Sequence, residues 1–216
     1  MSKINIPYDA IFKSIFGNPN VVKSFLQDFI PGGYIEDLNF STMERIASDY
    51  TSDNYEERYN DIVWKISWKE TRKTCYIVVM LEFQRDVDYW MALRMNAYTA
   101  LLQQSRKKTE QPPAWTPLPF VLPIVIYIGE KKWNAPLNVA EMYEPDIPEE
   151  LRPYIPCHKY FLLDTTCFPK KVLIKLHGIV AQIVKFRCEK APQKLIEIYN
   201  ELNSLAERPE YADIQK

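Results

Sequence analysis

The sequence predicts an α/β domain in which a mixed central sheet is flanked by helices. Three observations predict it. Arg58 to Lys69 alternates, with Ile62, Trp64, Ile66 and Trp68 on one face and Asp61, Val63, Lys65 and Ser67 on the other, the pattern of a half-buried strand. Phe120 to Ile128 is apolar on both faces, as a strand buried between helix layers is. Between them a second strand candidate, Cys75 to Gln84, is followed by a helical pattern over Tyr89 to Gln104. Strand, helix, strand implies a parallel crossover of right hand, whereas a short charged turn between two strands implies an antiparallel hairpin. A sheet containing both is mixed.

The elements follow in order. Ile11, Phe12, Ile15, Phe16, Val22, Phe25, Leu26 and Phe29 recur at helical spacing across Tyr8 to Ile30, and Gly17-Asn18-Pro19 breaks that stretch into two helices. Pro31-Gly32-Gly33 stops the second. A mostly polar stretch, Ser41 to Glu57, shows no period and leads into the alternating strand. Charged Lys69 to Lys73 turns the chain into Cys75 to Gln84, rich in β-branched residues as a central strand is. Asp86 or Asp88 can cap the next helix, whose apolar stripe reads Trp90, Leu93, Ala97, Tyr98, Leu101 and Leu102. A charged and then proline-rich linker, Ser105 to Pro119, precedes the 120–128 strand. After an acidic, proline-punctuated stretch, His158 to Asp164 supplies a further strand candidate, and helices over Lys170 to Cys188 and Pro192 to Ala206 close the chain.

With 216 residues, 47% of them hydrophobic and 25% charged, the chain suffices for one substantial core. We read 1–216 as a single domain, an α/β core over 1–165 followed by a helical segment over 169–206. The longest apolar stretch, Phe120 to Ile128, is far short of the roughly 20 residues that span a bilayer, so no membrane partner is expected. The opening MSKINIPYDAIFK has no apolar core of signal-peptide length, which predicts a cytoplasmic location. Cys75, Cys157, Cys167 and Cys188 form no CxxC pair and read as reduced, buried thiols; Cys157, His158 and Cys167 lack the paired spacing of a zinc site. The net charge of −1 gives no overall basic footprint for nucleic acid, though it does not report local patches.

The chemistry-bearing residues gather at one hairpin. Asp61 opens one strand and Glu82 and Gln84 close the next, so antiparallel pairing brings the three together. Glu82 and Gln84 share a face, about 7 Å apart at Cα. Two carboxylates are the donors a hard cation such as Mg²⁺ or Mn²⁺ takes, and such an ion activates water for attack on phosphorus. Phosphodiester hydrolysis fits these residues. Solvated carboxylates at strand ends would show the same spacing, so spacing alone leaves both readings open.

Five segments carry a resemblance. Asp9-Ala-Ile-Phe-Lys13, Arg58-Tyr-Asn-Asp61-Ile-Val, Leu81-Glu82-Phe-Gln84, Met91-Ala-Leu-Arg94-Met-Asn-Ala-Tyr98, and Leu122-Pro-Ile-Val-Ile-Tyr127-Ile-Gly129 with Trp133-Asn134 resemble, in order, the recombination-promoting nuclease and "putative transposase" family. The resemblance covers roughly the first two-thirds of the chain and implies a restriction-endonuclease-like, PD-(D/E)XK core. It further implies Mg²⁺-dependent cleavage of DNA in support of bacterial recombination, with DNA as partner and homo-oligomer formation left open. Carried over by residue, Asp61 and Glu82 are the metal ligands, and Gln84 stands where a lysine is usual. A neutral amide orients water but supplies no charge, so a cation must come from elsewhere. Arg94, whose guanidinium forks onto phosphate, is the first choice and Lys13 the second substrate-binding candidate; Lys65 lies too far along its strand from Asp61. The alternative is an inactive module of the same fold that binds DNA or protein. Asp9 reads as a helix N-terminal residue, Phe12, Trp64 and Tyr98 as core, His158 and His177 as structural, and Arg72-Lys73 and Arg106-Lys107-Lys108 as solvated loops.

Overall fold

A computed structural model describes residues 8–46, 61–71, 73–82, 87–166 and 168–215. Its centre is a five-stranded sheet of β1 (Leu38–Ile46), β2 (Asp61–Trp68), β3 (Thr74–Glu82), β4 (Phe120–Tyr127) and β5 (Phe161–Asp164), in that spatial order. β1, β2 and β3 pair antiparallel; β3, β4 and β5 pair parallel. The helices are α1 (Tyr8–Gly17), α2 (Pro19–Phe29), α3 (Met91–Glu110), α4 (Lys170–Leu173), α5 (Ile179–Cys188) and α6 (Pro192–Ala206). This is the mixed α/β architecture that the sequence predicts, and it is consistent with a restriction-endonuclease-like core.

The sheet buries both faces. On one, Ile62, Trp64, Ile66, Ile77, Ile124 and Ile126 meet apolar residues of α1, α2 and α5. On the other, Val63, Tyr76, Val121, Val125 and Tyr127 meet Met91, Ala92, Met95 and Leu102 of α3, with Trp133 and Tyr160. The α1–α2 break is built by Asn18, whose Oδ1 caps α2 by accepting from the N–H of Asn20 (2.8 Å) and Val21 (3.3 Å), with Pro19 in the first turn where its missing N–H costs nothing. The Trp64 indole donates to the Phe16 carbonyl at 3.1 Å and ties β2 to the end of α1. Pro123 sits inside β4, yet β5 pairs only from Ile124 onward, so the strand still has an open side at the proline.

Several local expectations change. β1 falls partly within the stretch read as unpatterned. It is an edge strand, exposed at four of its nine positions, with a register shift between Asn39 and Glu44. At that irregularity Thr42 Oγ1 accepts from the Ser67 N–H at 2.9 Å in place of a ladder carbonyl. α3 runs to Glu110 rather than ending at Gln104, and its buried stripe is Met91, Ala92, Met95, Thr99 and Leu102, leaving Trp90 and Leu93 59% and 45% exposed. Arg106 is therefore helical, not a solvated loop: it donates to Tyr76 Oη at 3.0 Å and pairs with Glu110, which also meets Lys65 at 3.5 Å. The 170–188 helix is interrupted. Gly178, at the start of α5, approaches α2 so closely that an added Cβ would lie 2.8 Å from Asp28 Oδ2, and its N–H donates to that oxygen at 3.2 Å. Burial raises the Asp28 pKa from its ordinary range, partly offset by this bond. Cys157 is exposed instead of buried, and its sulfur accepts from Asn138 Nδ2 at 3.4 Å. The chain also remains ordered past Ala206: a 3₁₀ segment, Pro209–Gln215, places Tyr211 in the first cluster, and Asn18 Nδ2 donates to the Glu210 carbonyl at 2.9 Å.

Gln182, on α5, is fully buried, and neither its amide oxygen nor its nitrogen has a hydrogen-bond partner among the described residues. An unpaired buried amide costs about 1–3 kcal/mol, so Gln182→Met, which keeps the volume and removes the polar atoms, is expected to raise the melting temperature. Thermal unfolding followed by circular dichroism checks this; a lowered Tm would mean the amide is paired in solution.

Candidate active site

The hairpin register sets the site. Asp61, the first residue of β2, pairs with Met80, and Glu82 ends β3 two positions beyond Met80. Residues opposite and two apart share a face, so Asp61 and Glu82 are diagonal neighbours on one face, about 7–8 Å apart. By the same alternation that face is the one carrying Val63, Tyr76, Val125 and Tyr127, the α3 side. Glu82 pairs with Tyr127 and Tyr127 with Asp164, so the C-terminal ends of β3, β4 and β5 finish level at one edge of the sheet.

α3, whose Met91, Ala92 and Met95 pack on the face that carries the two acidic positions, begins just after this edge, and Arg94 lies in its first turn. Its guanidinium Nη1 donates to Asp88 Oδ2 at 2.5 Å, both side chains largely shielded, and Asp88 Oδ1 accepts from the Trp90 N–H at 2.9 Å. Asp88 thus anchors both the helix start and the arginine. Lys13 is half-buried on α1, in the layer covering the opposite face. Gln84 lies outside the described residues, as do Arg72 and Cys167. Among the described residues there is no group of three or more acidic, histidine or cysteine side chains suited to a metal ion.

Two more residues complete this edge. Asp164, not singled out from the sequence, ends β5 as Glu82 ends β3; its carboxylate is committed to structure, accepting from the Trp133 N–H (2.9 Å), the Thr166 N–H (2.9 Å) and Thr166 Oγ1 (2.7 Å). Tyr127 is fully buried against Trp133, ring centroids 4.8 Å apart and edge-to-face. A Cβ at Gly129 would stand 2.0 Å from Tyr127 Oη, so glycine there is required by close approach. The Tyr127, Gly129 and Trp133 positions of the sequence motif therefore serve packing behind the acidic pair. His158 faces Thr99, Nε2 to Oγ1 3.1 Å, and burial lowers its pKa from 6.5; His177 is exposed near Glu201 at 3.8 Å.

A cavity of about 340 Å³ lined by Asp37, Trp68, Glu70, Thr71 and Lys73 opens at the hairpin turn, the other end of β2 and β3 from the acidic pair. No helix among the described residues is long and apolar enough to cross a membrane.

The family described as "Putative transposase, YhgA-like" matches residues 6–215. Recombination-promoting nuclease RpnD of Escherichia coli O157:H7 is 26% identical over 125 residues, 58% of this chain and 46% of that protein. Recombination-promoting nuclease RpnA of E. coli K12 is 26% identical over 123 residues, 57% of this chain and 40% of that protein. The inactive recombination-promoting nuclease-like protein RpnE of E. coli K12 is 23% identical over 208 residues, 96% of this chain and 66% of that protein. The chain thus spans less than two-thirds of the length of each of these relatives. No solved structure matches.

Proposed function

The chain belongs to the family described as "Putative transposase, YhgA-like", and from that premise we propose that it is a metal-dependent DNA endonuclease that hydrolyses phosphodiester bonds and promotes recombination, acting in the cytoplasm. One observation carries the reading: Asp61 and Glu82 occupy diagonal cross-strand positions on one face. The donor set fits Mg²⁺ or Mn²⁺, since both carboxylates are hard oxygen ligands and a diagonal separation of about 7–8 Å is within their combined reach. When bound, the ion polarises a phosphate oxygen and lowers the pKa of a coordinated water. Asp61 and Glu82 hold it. Gln84 orients the attacking water by accepting with its amide oxygen and donating to the phosphate with its nitrogen. Arg94 leaves Asp88 for a phosphate oxygen as negative charge builds on phosphorus, supplying the cation that Gln84 does not. Lys13, from the opposite layer, contacts a backbone phosphate farther along the DNA.

Nicking of supercoiled plasmid by purified protein with Mg²⁺ or Mn²⁺, and not with EDTA, is the expected result. Gln84→Ala should lose less activity than loss of either carboxylate, Arg94→Ala should lose about 100-fold, and Gln84→Lys should keep or raise activity. A second reading has its own support: RpnE, which aligns with 96% of the chain, is named as inactive. A plasmid left intact under every metal, with Gln84→Lys equally silent, would establish that second reading, a non-cutting module that binds DNA or protein.

A further inference from the structure

The overall charge of −1 conceals a strong segregation. Between positions 170 and 194 the sequence carries seven lysines and arginines and one acid, Glu189. Tertiary structure brings part of this segment to the edge of the sheet where β3, β4 and β5 end. Arg187 Nη2 donates to the Gly129 carbonyl at 2.8 Å, in the loop that follows β4 and carries exposed Lys131 and Lys132. Cys188 Sγ reaches the Thr165 carbonyl, just past β5, at 3.3 Å. Burial raises the Cys188 pKa, and the charges of Arg187 and Lys170 pull it back, which sets both cations beside the α5 terminus. Glu189 accepts from the N–H groups of Lys190 (2.8 Å) and Ala191 (3.0 Å); those bonds lower its pKa first, and the nearby charges of Lys194 and Lys170 lower it further.

The acids here are already engaged. Glu189 caps backbone, and Asp164 is held by Trp133 and Thr166, leaving exposed Glu130 as the remaining carboxylate in these segments. Lys170, Lys190 and Lys194 are all exposed. Arg187 and Cys188 meet Gly129 and Thr165, just past β4 and β5, so the patch adjoins the strand-end edge that Glu82 shares, approaching it from the α5 layer while the acidic positions lie on the α3 side.

Resting on the nuclease reading for its ligand, we infer that Lys132, Lys170, Arg187, Lys190 and Lys194 form the surface that holds the DNA backbone, letting a duplex run along the strand-end edge past Asp61 and Glu82. Phosphate contacts of this kind supply affinity and position without reading sequence, and a local patch supplies them in a chain with no overall basic charge.

The test is binding of a short fluorescent DNA duplex, measured by anisotropy in EDTA so that cleavage plays no part. Reversal of Lys170, Lys190 and Lys194 to Glu is expected to weaken binding at least about tenfold and to flatten the slope of log affinity against log salt by roughly 2 to 3. The matching Lys→Gln set should give a smaller loss in the same direction, with Tm unchanged. Reversal of exposed Lys73, Lys107 and Lys108 at the other end of the sheet changes the charge equally and should have little effect. Absence of DNA binding by the unaltered protein, binding of RNA alone, or equal losses from the two reversals would overturn the inference. Loss confined to the Lys170 set, in a protein that never cuts, sustains it while the endonuclease reading fails.

Discussion

Asp61→Ala and Glu82→Ala are each expected to reduce metal-dependent cleavage by at least about 100-fold, to the limit of detection in a plasmid assay, with the fold intact. The two positions stand diagonally on one face, so neither carboxylate substitutes for the other. As co-ligands of one ion the two would repel in its absence, so removing one is expected to leave Tm unchanged or slightly raised. Added Mg²⁺ or Mn²⁺ should raise the Tm of the unaltered protein and of neither variant. A Tm drop of many degrees in either variant would make the residue structural and remove it from the chemistry.

Gly129→Ala is expected to destabilise the protein by about 3 kcal/mol, with lost activity following from lost fold. The added Cβ would lie 2.0 Å from Tyr127 Oη and 2.1 Å from Cζ, and the ring cannot yield because it is fully buried against Trp133. Arg187 fixes the same loop through the Gly129 carbonyl. Combining Gly129→Ala with Tyr127→Leu should be less damaging than the sum of the single changes, since residues in contact are non-additive. Urea unfolding of the three variants measures the coupling; strict additivity would show that the ring has another place to go.

The residues carrying the clearest periodicity were legible in the sequence. Alternation of Ile62, Trp64 and Ile66 with Val63, Lys65 and Ser67 yields β2 and its hairpin with β3, and the unbroken apolar run at 120–127 yields the buried parallel strand beside it. Both patterns arise because each strand's own side chains must satisfy the two core layers. The nearness of positions 61 and 82 was legible for the same reason: antiparallel pairing makes the end of one strand the neighbour of the start of the other.

Where several faces or partners are equally available, sequence periodicity is silent. Apolar side chains lie nearly all round the first turns of α3, so both the Trp90/Leu93 stripe and the Met91/Met95/Leu102 stripe have helical period, and packing against Val63, Val125 and Tyr127 selects the second. Arg106, with Lys107 and Lys108, reads as a solvated run until Tyr76, distant in the chain, becomes its partner, and Glu110 joins it by meeting Tyr76 and Lys65. β1 has too little burial to impress a period on its side chains and exists through pairing with β2. The sequence by itself determined the strand–helix–strand order and the approach of Asp61 to Glu82, because both follow from local alternation and a short turn. Only the tertiary structure decided that Arg106 meets Tyr76 and that cations from 170–194 gather beside the ends of β4 and β5, because these meetings depend on how separate elements pack, which no local period encodes.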